Sequence, residues 1–249
     1  LIKRIYRYIS TRINFHPKLG WNYITISYFL LNKLQKNKGT VNIILLYYLY
    51  RIYKDKDINF ELTIFMFLYY KLNNVKRLGA KVTLHGENLA HALVKASKMS
   101  KQNKYTFVHP FDDPFTIAGQ GTIGKEILDD EIDYDVIFVP VGAGGLLAGI
   151  SAWVKQHKKK IKIIGVEVND SACLTEALKS NKRVMLERVG LFADGVAVSQ
   201  VGKNNLDVIK ECVDEVMTVN IDEVCAAVKD IFEDTRVLSE PSGAVALAG

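Results

Sequence analysis

The chain is poor in cysteine and proline, with three and five among 249 residues. Cys173, Cys212 and Cys225 stand 39 and 13 positions apart, with no CxxC pair and no Cys/His metal spacing. That excludes a disulfide framework and a zinc finger and implies a reducing compartment. No apolar run approaches the roughly 20 residues a membrane helix needs. The longest, Val41 to Tyr50, runs into Arg51. No charged-then-apolar leader with a small-residue cleavage site is visible, and no alanine occurs before Ala80. What is present is 49% hydrophobic and 24% charged residues at mean hydropathy +0.06. That balance supports a buried core and argues against a disordered or collagen-like chain.

The net charge of +6 is unevenly placed. Residues 1–74 hold 12 Lys/Arg and 3 Asp/Glu (+9), and residues 75–249 hold 21 and 24 (−3). The whole-chain pI near 9.0 therefore reports a local excess and does not point to nucleic acid. Ten of the 12 tyrosines also lie in residues 1–74. Segments such as Tyr23–Leu34, Val41–Tyr53 and Thr63–Tyr70 show neither helical nor alternating period. Their excess of Ile, Lys, Asn, Tyr and Phe is what AT-rich codons produce, so we expect an aberrant segment of mistranslated or decayed coding sequence. A basic aromatic membrane-surface segment is the competing reading, disfavoured because no stretch sustains an amphipathic face.

From residue 75 the pattern becomes regular. Lys81–His85, Thr106–Val108, Asp135–Val141, Ile161–Val168 and Val216–Val219 read as strands. Glu87–Ser100, Ile117–Leu128, Leu146–His157, Ala172–Ser180, Leu206–Val213 and Ile221–Arg236 read as helices. Asn220 followed by Glu223 has the form of a capping box. Pro241 opens a further helix, which we expect to continue past Gly249. Alternation of this kind predicts an α/β fold with a mainly parallel sheet.

The most informative chemistry is DVIFVPVGAGGLLAGI, Asp135 to Ile150. A buried strand leads into Gly142, Ala143, Gly144 and Gly145, and Leu146 opens a helix. Loop amides and a helix N-terminus together suit a phosphate monoester. The following Lys-Ser/Thr of a nucleotide-triphosphate loop is missing, as is the GxGxxG register of a dinucleotide site. His109, Asp112 and Asp113, beside two prolines, read as turn and cap residues. Asp194 either faces a cleft or bonds its own turn.

In chain order, RLGAKVTLHGENLAHA (Arg77–Ala92), HPFDDPFTIAGQGTIGKEI (His109–Ile127), the glycine loop, VGLFADGVAV (Val189–Val198) and EDTRVLSEPSGAVALAG (Glu233–Gly249) closely resemble one family. It is biosynthetic threonine dehydratase (threonine ammonia-lyase), of the pyridoxal-phosphate enzymes with the tryptophan-synthase-β-like fold. The resemblance runs from about Val75 to Gly249. It implies a two-lobed α/β protein with pyridoxal 5'-phosphate between the lobes. Residues 75–115 would be the remainder of the smaller lobe and 116–249 the larger, cofactor-binding one, after the aberrant 1–74.

By the same resemblance, Gly142, Ala143, Gly144, Gly145 and Leu146 hold the cofactor phosphate and Glu240 stands near its ring. The family usually has four consecutive glycines, so Ala143 requires a negative φ. The reaction implied takes an amino-acid substrate, threonine, to 2-oxobutanoate and ammonia in isoleucine biosynthesis, a lysine removing the α-proton. The family's lysine motif, S-F-K-x-R-G-A, is missing, and Lys18 in NFHPKLGWNYI is the nearest candidate. Ser242 reads as a helix-start residue. Serine racemases of this fold bind Mg²⁺ through a Glu and a downstream Asp. Here Glu167 leads to Cys173 instead, so no metal site is expected. Relatives imply a homotetramer without nucleic-acid or membrane partners, in the cytoplasm or an organelle. A serine/threonine dehydratase or racemase, and a non-catalytic relative, are the alternatives.

Overall fold

The computed structural model describes residues 61–64, 75–86, 89–130 and 132–249. Lys18, and the aberrant-segment reading of residues 1–74 apart from 61–64, lie outside them. The chain divides into two compact units, residues 15–110 and residues 1–14 with 111–249.

In the first unit, β1 (Glu61–Ile64) pairs in parallel with β2 (Lys81–Leu84), Glu61 opposite Lys81 and Ile64 opposite Leu84. Helix α1 (Leu89–Asn103) packs on β1. The sequence shows no sign of β1, because four residues are too few to display alternation. Thr106–Val108, expected as a strand, is irregular. Among the described residues no strand pairs with it, and Pro110 just beyond has no amide to extend a ladder.

The second unit is built on a parallel sheet in the order β3 (Val136–Pro140), β4 (Lys162–Val168), β5 (Glu215–Val219). Val136 lies opposite Lys162, and Ile164 opposite Glu215. Pro140 is tolerated because, among the described residues, β3 is an edge strand. The ladder resumes after it, with Val141 N–H donating to Val166 O at 2.8 Å. Around this sheet stand α2 (Pro114–Asp129), α3 (Gly145–His157), α4 (Cys173–Lys179), α5 (Lys203–Cys212), α6 (Ile221–Thr235) and α7 (Pro241–Ala248).

Strand periodicity decides what each face of β4 meets. Val166 and Val168 pack with Val219, Val224, Val245, Ala193 and Val196. The intervening Gly165 and Glu167 point the other way. A Cβ on Gly165 would lie 2.8 Å from Leu147 Cδ2, and Glu167 meets the start of α4. Helix α6 begins as its sequence predicts: Asn220 Oδ1 accepts from Glu223 N–H at 3.0 Å, and Glu223 Oε2 accepts from Asn220 N–H at 2.7 Å.

Helices α2 and α3 approach so closely that side chains are excluded from the crossing. A Cβ on Gly149 would fall 2.4 Å from Ile117 O and 2.6 Å from the Gly121 amide nitrogen. The AGQGT run lies on α2 at this crossing, so its small residues serve helix packing. Asp214 fastens the opposite end of the layer. It accepts from Lys155 Nζ at 2.7 Å and from Ile163 N–H at 2.7 Å. Burial would raise its carboxyl, but the Lys155 ammonium and the Ile163 amide outweigh that and hold it below 3.8.

Replacing Gly149 with alanine should therefore cost about 3 kcal/mol, because the obstructing atoms are backbone and cannot rotate aside. Urea unfolding measures it. The Asp214 contribution is present above about 3.8 and lost as pH falls through the lower folded value. Asp214→Asn should flatten that acid limb; unfolding midpoints across the range would show it.

Candidate phosphate-binding site

Strand β3 ends at Pro140, and three residues after Val141 turn the chain into α3. The turn needs a left-handed residue, and Gly144 supplies it at φ 87°, as an N-cap without a side-chain hydrogen bond. A Cβ there would be strained and would lie 2.8 Å from Ile209 Cδ1. Ala143 is buried and is absent from the residues with positive φ. Its methyl is therefore accommodated where the family usually has glycine.

The direction of each peptide plane follows from where its carbonyl is tied. Gly142 O accepts from the Cys173 thiol at 3.6 Å. Ala143 O accepts from Gly202 N–H at 3.0 Å and from Asn205 Nδ2 at 2.8 Å. Gly144 O accepts from Ala148 N–H at 2.9 Å. In a trans peptide the N–H points opposite the C=O, and none of these bonds is cis. The amides of Ala143, Gly144 and Gly145 are thus turned away from the bonds that hold the loop. Among the described residues, nothing accepts from the amides of Gly142 to Leu147. Burial and the nearby Glu167 push the Cys173 thiol up to about 12, so it stays protonated and can donate to Gly142 O.

Two aspartates from one dipeptide fix the surroundings. Asp113 caps α2, accepting from Phe115 N–H at 2.8 Å and Thr116 N–H at 3.4 Å. Asp112 caps α5 instead, accepting from the amides of Lys203 (2.9 Å), Asn204 (2.8 Å) and Asn205 (3.4 Å). The expectation of a cap before the helix at Ile117 is correct for Asp113, whereas Asp112 serves a helix 91 residues away. Asn205 is fully buried, and among the described residues its Oδ1 has no partner, a stranding that typically costs about 1–3 kcal/mol.

Glu167 is buried at 0% exposure. Its carboxylate accepts from Leu174 N–H (2.8 Å), Thr175 N–H (2.8 Å) and the Thr175 hydroxyl (2.7 Å). Burial pushes its carboxyl above the usual 4.5, and the Thr175 and Leu174 bonds offset part of that. Both oxygens are committed to α4. Among the described residues no three His, Cys, Asp or Glu side chains converge as a metal set.

A short turn, Asp194–Val196, joins the loop to the start of α7. Val196 Cα lies 3.1 Å from where a Gly142 Cβ would be. The neighbouring Gly195 N–H donates to Ser242 Oγ at 2.8 Å. Ser242 is thus more than a helix-start residue. Glu240 is exposed at the N-cap of α7, with Oε1 3.5 Å from where a Gly195 Cβ would be. Asp194 is exposed on the same turn. The donor set of neutral amides at a helix N-terminus fits a phosphate ester, so the residues present match what pyridoxal phosphate requires at its anionic end. Asn205 and Asp112 escaped sequence reasoning as supports of the loop, because nothing in their neighbourhoods signals contacts so distant along the chain.

Residues 58–249 match the family model described as pyridoxal-phosphate dependent enzyme. The match takes in residues 58–74, ahead of the composition break. Over 179 residues the chain is 51% identical to the biosynthetic L-threonine dehydratase of Pasteurella multocida (strain Pm70), covering 72% of this chain and 35% of that protein. Over 182 residues it is 50% identical to the mitochondrial threonine dehydratase of Schizosaccharomyces pombe, covering 72% and 30%. The chain spans about a third of the length of the curated relatives it matches. The processed form of threonine deaminase isoform 2 from Solanum lycopersicum superposes with TM-score 0.76 at 33% identity, over 90% of this chain and 68% of that one. Serine racemase from Dictyostelium discoideum gives 0.68 at 31%, over 76% and 60%.

Removing the Glu167 carboxylate strands the buried Leu174 amide and the part-buried Thr175 amide at the start of α4 and leaves a cavity. Glu167→Ala should lower stability by about 3 kcal/mol, read from the denaturant midpoint.

Proposed function

The chain belongs to the pyridoxal-phosphate dependent enzyme family and has its fold, and from that we propose that the protein carrying it deaminates L-threonine to 2-oxobutanoate and ammonia. The observation that carries this reading is the row of amides from Gly142 to Leu147 without an acceptor among the described residues. It occurs in a chain half identical to proteins named threonine dehydratase. Gly142, Ala143, Gly144, Gly145 and Leu146 would hold the phosphate of pyridoxal 5'-phosphate, and Glu240 would stand by its ring. When bound, that group supplies an electron sink for the electrons released as the substrate loses its α-proton.

The chain's own contribution is orientation and proton handling. The loop amides and the α3 dipole would anchor one end of the cofactor without a basic side chain having to be desolvated. Lys18 is the candidate lysine to carry the cofactor and to take the α-proton at its Nζ, for which its ordinary pKa must be lowered by desolvation. Residues 75–115 and 116–249 are read as parts of the two lobes. A small-molecule amino-acid substrate and a homo-oligomer accord with the relatives. Among the described residues no helix is long and apolar enough to cross a membrane. The cytoplasm is the proposed site, or an organelle, given relatives named mitochondrial and chloroplastic.

A second reading, a non-catalytic relative that keeps the phosphate loop, is favoured by one observation: S-F-K-x-R-G-A is missing from the sequence. One experiment separates the two. The purified protein is incubated with pyridoxal phosphate, reduced with borohydride and mapped by peptide mass. A phosphopyridoxyl group on Lys18, with 2-oxobutanoate formed from threonine, is the expected result. Binding without any lysine adduct or product would leave the non-catalytic reading standing. D-serine formed from L-serine without 2-oxobutanoate from threonine would replace it with a racemase.

A further inference from the structure

We propose that Asn205 is a positioning residue of the phosphate loop: it holds the Ala143 carbonyl back so that the Gly144 amide stays available to an anionic ester. The proposal rests on the loop being the cofactor's phosphate site. Three observations converge on it. Asn205 Nδ2 and Gly202 N–H donate to the same carbonyl, at 2.8 and 3.0 Å, which fixes the plane of the Ala143–Gly144 peptide from behind. Asp112 holds the amides of Lys203, Asn204 and Asn205, so both donors arrive from a helix end that is capped. The Asn205 Oδ1 is buried without a partner among the described residues. An apolar side chain at this fully buried position would leave no stranded acceptor. Packing alone does not account for an amide there; the donor does.

The test uses two probes that lack the aldehyde and so cannot bond to any lysine: 4′-deoxypyridoxine 5′-phosphate and its unphosphorylated parent. Each is titrated calorimetrically into the full chain and into Asn205→Leu. The phosphate ester should bind about tenfold more weakly to the variant. Binding of the parent should be unchanged, whatever the larger leucine costs in thermal midpoint. A loss below about threefold, or an equal loss for both probes, would overturn the proposal. If the variant does not fold, Asp112→Asn takes its place. A selective loss of about threefold for the ester supports the role, and unchanged affinity refutes it. Failure of the unsubstituted chain to prefer the ester over its parent would sink the phosphate-site reading itself, a result distinct from any change confined to the variants.

Discussion

The Ala143 carbonyl receives two donors, one from the N-cap of α5 and one from its first turn, and the planarity of a trans peptide converts that attachment into a direction for the next amide. The loop has no charged group of its own. Whatever anion affinity it has comes from dipoles, and dipoles act only when aimed. Rigidity behind the loop is therefore part of the chemistry in front of it. Gly142 and Gly144 are tied in the same manner, by the Cys173 thiol and by the first complete turn of α3. A protonated thiol suits this task because it can donate to a carbonyl inside an apolar environment, where its burial keeps it from ionising.

The wider fold supplies what that aim requires. Parallel pairing of β3, β4 and β5 brings the C-terminal end of β3 and the N-terminus of α3 to one edge of the sheet, the place where open α/β sheets gather ligands. The close crossing of α2 and α3 holds the helix down by backbone contact. The turn at Asp194–Val196 then touches the loop through Val196 and the start of α7 through Gly195. Glu240 and the glycine loop thereby become neighbours of one structural piece, though 95 residues separate Gly145 from Glu240.

Glu167 illustrates how one residue can be read for chemistry and used for architecture. On the sequence, the resemblance sets it where a cation ligand could be looked for. In the structure it lies on the α4-facing side of β4, and both oxygens are taken by amides and a hydroxyl. A carboxylate buried this deeply is maintained by its donors, and those donors belong to the helix it caps. Asp112 and Asp113 make the same point. They are neighbours in sequence, yet one caps the helix that follows it and the other a helix far along the chain.

By itself the sequence determined the elements whose signals are local. These are the strands within Asp135–Val141 and Ile161–Val168 (the first less buried than expected, with Phe138 exposed), the capping box at Asn220 and Glu223, and the glycine turn at Gly142–Gly145, where backbone freedom shows directly as residue type. The family resemblance also rested on contiguous words such as FADGVAV. Only the tertiary structure decided which carbonyls are held from behind, that AGQGT serves a helix crossing, that Asp112 and Asn205 brace a loop neither adjoins, and that Ser242 holds the turn beside it. Strand β1 likewise appears only through its pairing with β2. The physical reason is common to all of these. Propensity, capping and turn geometry act within a few residues, whereas an amide is aimed by partners that folding brings in from dozens of residues away, and no local pattern encodes their arrival.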